Sequence, residues 1–189
     1  LCNIAIIDDL LRRHTIPYAA ESLREHGWRM SAEHLLSHIW HNVAAAMPAR
    51  APLAALELWP TPCLRYTIEG GRREMVLLTQ QFEFSAAHRL HCPELSDEEN
   101  RRVFGKCNNP NGHNYLLEVT VAGRPEGALG AVLPLPRFEQ IVRERVIDRL
   151  DHKHLNQDTE EFREVNPSVE NIARVIWTML DSQVSPATL

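Results

Sequence analysis

The chain has no CxxC pair, no basic excess and no long apolar run, and each absence removes a class of function. Its four cysteines, Cys2, Cys63, Cys92 and Cys107, are widely spaced, which fits neither a disulfide framework nor a structural zinc knuckle. A reducing, cytoplasmic setting is the expectation. The formal net charge of −5 offers no basic footprint, so no nucleic-acid partner is expected. Apolar runs are broken by charge well short of a membrane span, so no membrane partner is expected either. No N-terminal segment has the charged, apolar and small-residue layout of a signal peptide. What remains is an ordinary globular composition, 24% charged and 44% hydrophobic over 189 residues, enough for one domain or two small ones. Ten histidines are many for this length and make a metal site worth seeking.

An internal repeat sets the organisation. Ser31-Ala-Glu-His-Leu-Leu-Ser-His-Ile-Trp40 matches Ser168-Val-Glu-Asn-Ile-Ala-Arg-Val-Ile-Trp177, with Ser, Glu, Ile and Trp at the same spacing. Both read as amphipathic helices, with Ala32, Leu35, Leu36, Ile39, Trp40 and Val43 on one face of the first. Val169, Ile172, Ala173, Ile176, Trp177 and Leu180 take the same places in the second. Asn166 followed by Pro167 suits an N-cap and first helical residue. A weaker match joins Asn3–Leu11 to Pro134–Val142, also helical. Leu53–Trp59 and Leu64–Glu69 are strand-like runs broken by Pro60-Thr-Pro62. The expected order is helix, helix, strand, strand, then strand, strand, helix, helix, with Gly70-Gly-Arg-Arg-Glu74 as the joint. The expected domains are therefore 1–73, the C-terminal part of one repeat, and 74–189, most of a second.

The residues suited to chemistry lie in the second copy. Met75–Leu90 reads as a strand with Phe82, Phe84, Ala86 and His88 on one face. A second strand, from about His113 to Ala122, puts His113, Tyr115, Leu117, Val119 and Val121 together. Two histidines thus end two apolar faces. Between them Asn109-Pro-Asn-Gly112 is a turn sequence, with Gly112 free to take positive φ, and Cys107 sits in the loop beside Lys106. A loop cysteine next to a cation or metal can act as a nucleophile or proton carrier. A helix over Phe138–Leu150, apolar at Phe138, Ile141, Val142, Ile147 and Leu150, leads into Asp151-His152. Adjacent helical side chains do not face each other, so a relay within that pair requires the chain to have left the helix, or each to engage a third group.

Four stretches in order resemble the 6-pyruvoyl-tetrahydropterin synthase family across residues 75–180. They are Phe82-Glu-Phe-Ser-Ala-Ala-His-Arg-Leu90, Phe104-Gly-Lys-Cys-Asn-Asn-Pro-Asn-Gly-His113, Leu150-Asp-His-Lys-His-Leu-Asn156 and Asn166-Pro-Ser-Val-Glu-Asn-Ile-Ala173. The resemblance implies an α+β tunnelling fold (T-fold), an antiparallel sheet with helices on one face, here as two tandem repeats of which the first is degenerate. It implies a homo-oligomer whose active sites lie at subunit interfaces. It implies a lyase that converts the pterin 7,8-dihydroneopterin triphosphate to 6-pyruvoyl-tetrahydropterin, with Zn2+ as cofactor. On this resemblance His88 and His113 are zinc ligands, Cys107 moves protons at the substrate side chain, and Asp151 and His152 complete the relay. A related 6-carboxy-tetrahydropterin synthase of the queuosine and deazapurine route is the alternative enzyme; the longer Cys107-to-His113 spacing resembles the pyruvoyl type. A non-catalytic pterin-binding or structural homologue is the alternative outside enzymology.

The sequence departs from the family in specific places. The family's zinc strand carries His-Gly-His, whereas this chain reads Asn111-Gly-His-Asn-Tyr115, with Tyr115 two residues beyond the histidine present. A catalytic zinc typically takes three protein ligands and a water. His91, Cys92 and Cys107 are the other candidate donors. The family's pterin-anchoring glutamate has no counterpart after Trp177; in the first copy Pro60 takes its place, with Glu57 near, and Ile16-Pro-Tyr18 stands where Asp-His would fall. A sheet edge and helix face left uncovered would be costly. The expectation is therefore that residues are missing from the sequence as written, with divergence as the alternative.

Overall fold

The computed structural model describes residues 4–26, 31–126 and 130–189. Cys2 and Asn3 lie outside them. The described chain is α+β, with an antiparallel sheet and helices, and forms two compact units from non-contiguous segments. The first holds the described residues of Leu1–Gln80 and Thr120–Pro134, with Pro186–Thr188. The second holds Gln81–Val119, Leu135–Ser185 and Leu189.

In the first unit, helices α1 (Ile4–Leu10) and α2 (Ile16–His26) are joined by a wider π-turn, Leu11–Thr15. Ile16 N–H reaches back to Leu11 O. Pro17 follows at once. It has no N–H, and its ring crowds the preceding turn, so a widened turn here lets the helix continue. Ile16-Pro-Tyr18 is therefore helical, and its backbone does not resemble that of Asp151-His152 described below. Helix α3 (Ala32–Ala46) is capped by Ser31, whose hydroxyl accepts His34 N–H and donates to Gly130 O. Gly130 has φ +56° and lies against the His34 ring, so no larger residue fits. Leu36, Trp40 and Val43 of α3 are buried, while buried Glu33 accepts Val132 N–H.

Strands β1 (Ala55–Thr61), β2 (Leu64–Glu69), β3 (Val76–His88) and β4 (Asn111–Gly123) lie in that order. The β1 strand runs through Pro60 instead of stopping before it. The register shifts between Leu58 and Thr61, and a proline without an N–H is tolerated at such an irregularity on an edge strand. Gly70–Glu74 forms the turn between β2 and β3, which pair antiparallel. Ile68, Val76, Leu78 and Val121 fill the core.

In the second unit, β3 and β4 continue side by side. Side-chain hydrogen bonds join Gln81 to Glu118 and Ser85 to Asn114, so each step up β3 matches a step down β4. Phe84, Ala86 and His88 are buried on one face, as the alternation requires. Helix α4 (Asp97–Phe104) interrupts the expected strand-to-strand connection. Its capping box of Ser96 and Glu99 is a start signal legible in the sequence. A 3-10 turn, Gly105–Asn108, follows, and the positive φ belongs to Gly105. Gly112 instead lies inside β4, which begins at Asn111.

Helices α5 (Leu135–Val142) and α6 (Asp148–Leu150) flank a π-turn, Arg143–Ile147. The extra residue resets the helical phase, so Val146 is fully buried where Ile147 was expected, and Phe138, Ile141, Val142 and Leu150 remain inward. Phe138 meets Phe82 edge to face at 6.1 Å. A short strand β5 (Lys153–His154) pairs parallel with β3, and helices α7 (Leu155–Asp158) and α8 (Val169–Leu180) complete the unit. The N-cap of α8 is Ser168, with nearly the same backbone angles as Ser31, and not Asn166. Its buried residues are Ile172, Ile176 and Leu180; Trp177 is 52% exposed, although the aligned Trp40 is 3% exposed.

Asparagines hold the irregular segment after β3. Fully buried Asn100 accepts Cys92 N–H and donates to the carbonyls of Cys92, Leu95 and Ser96. Replacing it strands these groups, at about 1–3 kcal/mol for a buried unpaired group. Asn100→Ala is expected to lower stability by roughly that amount in urea denaturation. Asn100→Asp is expected to cost more at neutral pH, because a carboxylate oxygen then faces three carbonyls. A stability of Asn100→Asp equal to wild type would refute this role.

Candidate active site

His88 closes β3 and is 3% exposed. Its Nδ1 lies 2.7 Å from Pro167 O, and a carbonyl only accepts, so Nδ1 carries the proton. Nε2 then presents a lone pair, and it is buried with no hydrogen-bond partner. A carbonyl fixing one ring nitrogen while the other stands free is the usual setting of a metal-ligating histidine. The His113 ring meets the His88 ring edge to face, centroids 5.1 Å apart. Pairing of β3 with β4 thus brings together the two histidines expected to bind metal. Among the described residues, no group of three or more His, Cys, Asp or Glu side chains is placed to hold a metal ion.

Tyr115 stands beside them. Its ring stacks on Phe84 at 4.9 Å and lies 5.8 Å from His113 and 6.4 Å from His88. Its hydroxyl is buried without a partner. Burial, and then the neighbouring Cys107, push the phenol above its ordinary pKa. Cys107 lies in the 3-10 turn, and its carbonyl accepts Leu90 N–H at 2.8 Å. Arg89 is clasped by Asn156, which accepts its N–H and donates to its carbonyl, while the Arg89 guanidinium donates to Asn108 O. The segment after His88 is thus fixed to the cysteine turn. Asn108 and Asn156 both stand in the family-like stretches, but the partners that give them this role lie in distant segments.

Asp151 and His152 meet the condition set by helix geometry. The helix ends at Leu150, Asp151 is extended, and His152 has φ +55°. It is the one non-glycine residue at positive φ among the described residues, a conformation that costs energy and clusters at functional sites. Two bonds to Ser85 hold it: Ser85 N–H donates to Asp151 Oδ1 at 2.8 Å, and His152 N–H donates to Ser85 O at 2.6 Å. Asp151 Oδ2 then lies 2.8 Å from His152 Nδ1. The Ser85 N–H and the His152 ring hold the Asp151 carboxyl below its usual pKa.

His152 and His113 line one groove of about 540 Å³, with Gly112 and Lys153 in its wall. Cys107 is not among its lining residues. His91 and Cys92 border a different cavity of about 600 Å³, with Arg89 and Arg163. There His91 contacts Asn108, and Cys92 contacts Glu94. No helix among the described residues is long and apolar enough to cross a membrane.

Known proteins resemble this arrangement. The family model for 6-pyruvoyl tetrahydropterin synthase matches residues 77–189. The human 6-pyruvoyl tetrahydrobiopterin synthase is 45% identical over 113 residues, covering 59% of this chain and 78% of the human one. A 6-carboxy-5,6,7,8-tetrahydropterin synthase from Rickettsia conorii is 27% identical over 127 residues, covering 59% and 82%. The solved structure of the Caenorhabditis elegans 6-pyruvoyl tetrahydropterin synthase superposes with a TM-score of 0.56 at 38% identity, covering 59% of this chain and 80% of that one. With the family model covering more than half its length, this chain belongs to the 6-pyruvoyl tetrahydropterin synthase family.

Proposed function

We propose that this chain is a carbon–oxygen lyase of pterin synthesis, eliminating triphosphate from 7,8-dihydroneopterin triphosphate to give 6-pyruvoyl-tetrahydropterin. The observation that carries this reading is the strained Asp151–His152 pair, held by Ser85 so that His152 borders the groove of His113. Similarity to the pyruvoyl enzymes, at 45% for the human protein against 27% for the carboxy enzyme, favours the pyruvoyl product.

The residues divide the work. Asp151 takes the His152 Nδ1 proton as a hydrogen bond, which turns His152 Nε2 outward as the acceptor. The ring is largely exposed and so can exchange a proton with a partner from another subunit. Cys107 is the group proposed to remove and return protons on the substrate side chain. Since Cys107 does not line the groove of His152, we place their encounter across a boundary between subunits of a homo-oligomer. His88 and His113 would hold Zn2+, and the orphaned Nε2 of His88 suits that donor set. When bound, zinc supplies Lewis-acid polarisation of side-chain oxygens. Residues 1–73 serve as a degenerate, architectural repeat in this reading, and the setting is cytoplasmic.

Three outcomes test it. Purified protein is expected to carry stoichiometric zinc by metal analysis, lost in His88→Ala, and to release triphosphate from 7,8-dihydroneopterin triphosphate; product mass separates pyruvoyl from carboxy. Cys107→Ala is expected to keep its zinc and lower kcat by about 10²- to 10⁴-fold; full turnover by that variant sinks the assigned role. Asp151 has a lowered folded pKa, so its stabilising contribution is present above its unfolded value of about 4 and is lost as pH falls through the folded one. Asp151→Asn is therefore expected to lower Tm at neutral pH, with the gap to wild type closing below about pH 4. A gap independent of pH would contradict the ionised pair.

A further inference from the structure

Among the described residues, no third His, Cys, Asp or Glu joins His88 and His113 in a group placed to hold a metal ion. The face they share holds another unpaired donor. Side-chain bonds between Thr79 and Thr120, Gln81 and Glu118, and Ser85 and Asn114 fix the β3–β4 pairing. Extended to the strand ends, that register sets Asn111 directly opposite His88, with His113 opposite Ala86 and Tyr115 opposite Phe84. Directly opposed residues project to the same face, so Asn111 shares the face of both histidines. Gly112 fits the same register, its missing Cβ facing Ala86 O and Ala87 Cα.

Asn111 is oriented as well as placed. Its Nδ2 donates to Asn109 O at 2.8 Å, which turns Oδ1 away from that bond. Oδ1 is buried and has no hydrogen-bond partner, as is true of His88 Nε2. Both are lone-pair acceptors, and neither neighbour supplies a proton. Buried polar atoms left unpaired are costly, so a cluster of acceptors calls for a cation, or for water, to satisfy it. Tyr115 is the other oxygen on this face, but it lies further along the register, and a phenol must lose its proton to bind a metal well. An amide oxygen donates as it stands.

Resting on the reading of His88 and His113 as zinc ligands, we propose that Asn111 Oδ1 is the third protein donor, giving this chain an N2O metal site. It occupies the position two residues before His113 on the strand. A neutral amide oxygen is a weaker and harder donor than imidazole. The site is therefore expected to hold Zn2+ less tightly than a three-nitrogen site and to exchange it more readily.

The test uses the full-length protein stripped of metal and titrated with Zn2+ or Co2+ alone. Zn2+ affinity is measured by competition with a chelator, and ligand change by the visible absorption of the Co2+ form. Asn111→Leu is expected to weaken Zn2+ binding on the order of tenfold or more and to alter the Co2+ spectrum. Asn111→His and Asn111→Asp are expected to tighten it. These two gain-of-affinity variants carry the test if the leucine variant fails to fold. Zinc affinity and Co2+ spectrum unchanged in all three variants, with binding still abolished by His88→Ala, would overturn the proposal while leaving the two-histidine reading intact. Failure of wild-type protein to bind either metal would overturn both, and would assign the pocket to water.

Discussion

Antiparallel pairing of β3 with β4 is the constraint on which the rest of the site depends. It brings His88 and His113, far apart in sequence, to ring contact, and it carries Tyr115 and Asn111 onto the same face. The His88 and His113 rings meet edge to face at 5.1 Å, and Phe84 stacks on Tyr115 at 4.9 Å beside them. Backbone hydrogen bonds are common to any sheet. The cross-strand side chains, Ser85 with Asn114 and Gln81 with Glu118, are what mark this register. A one-residue slip of β4 would turn His113 and Tyr115 to the opposite face, away from His88 and Phe84.

Ser85 has a second role. Its backbone N–H and C=O, on the strand side not used by β4, are taken by Asp151 and His152. The same strand therefore places His88 beside His113 on one side and fixes the Asp151–His152 pair on the other. The left-handed His152 is tolerated because both of its anchors lie on that single residue. Strain at one position is offset by two hydrogen bonds to a strand that cannot easily move.

Much of the site could be read along the chain. The alternation in Phe82–His88 and His113–Val121 placed the two histidines on apolar faces; the buried Phe84, Ala86, His88, Val119 and Val121 agree, whereas His113 is exposed. The requirement that Asp151 and His152 leave the helix followed from helix geometry alone. Other features were not legible. Trp40 and Trp177 take the same place in two similar helix sequences, yet one is buried and the other exposed, because helix phase is set by what packs against it. The π-turn at Arg143–Ile147 exchanged Val146 for Ile147 for the same reason. Asn166 looked like a cap and instead accepts His91 N–H.

The sequence by itself determined the strand faces, the two amphipathic helices that carry Trp40 and Trp177, the chain order of Cys107, His113, Asp151 and His152, and a single Gly-His unit at Gly112-His113. These rest on local periodicity and on residue chemistry, which each short stretch carries within itself. The tertiary structure decided which of those groups meet and which are left unpaired. Only there does Pro167 fix the His88 tautomer, Ser85 bind the Asp151–His152 pair, and Asn111 come to stand opposite His88. Such contacts join segments tens of residues apart, and their geometry depends on strand register and helix phase. Neither is encoded in any one stretch of sequence.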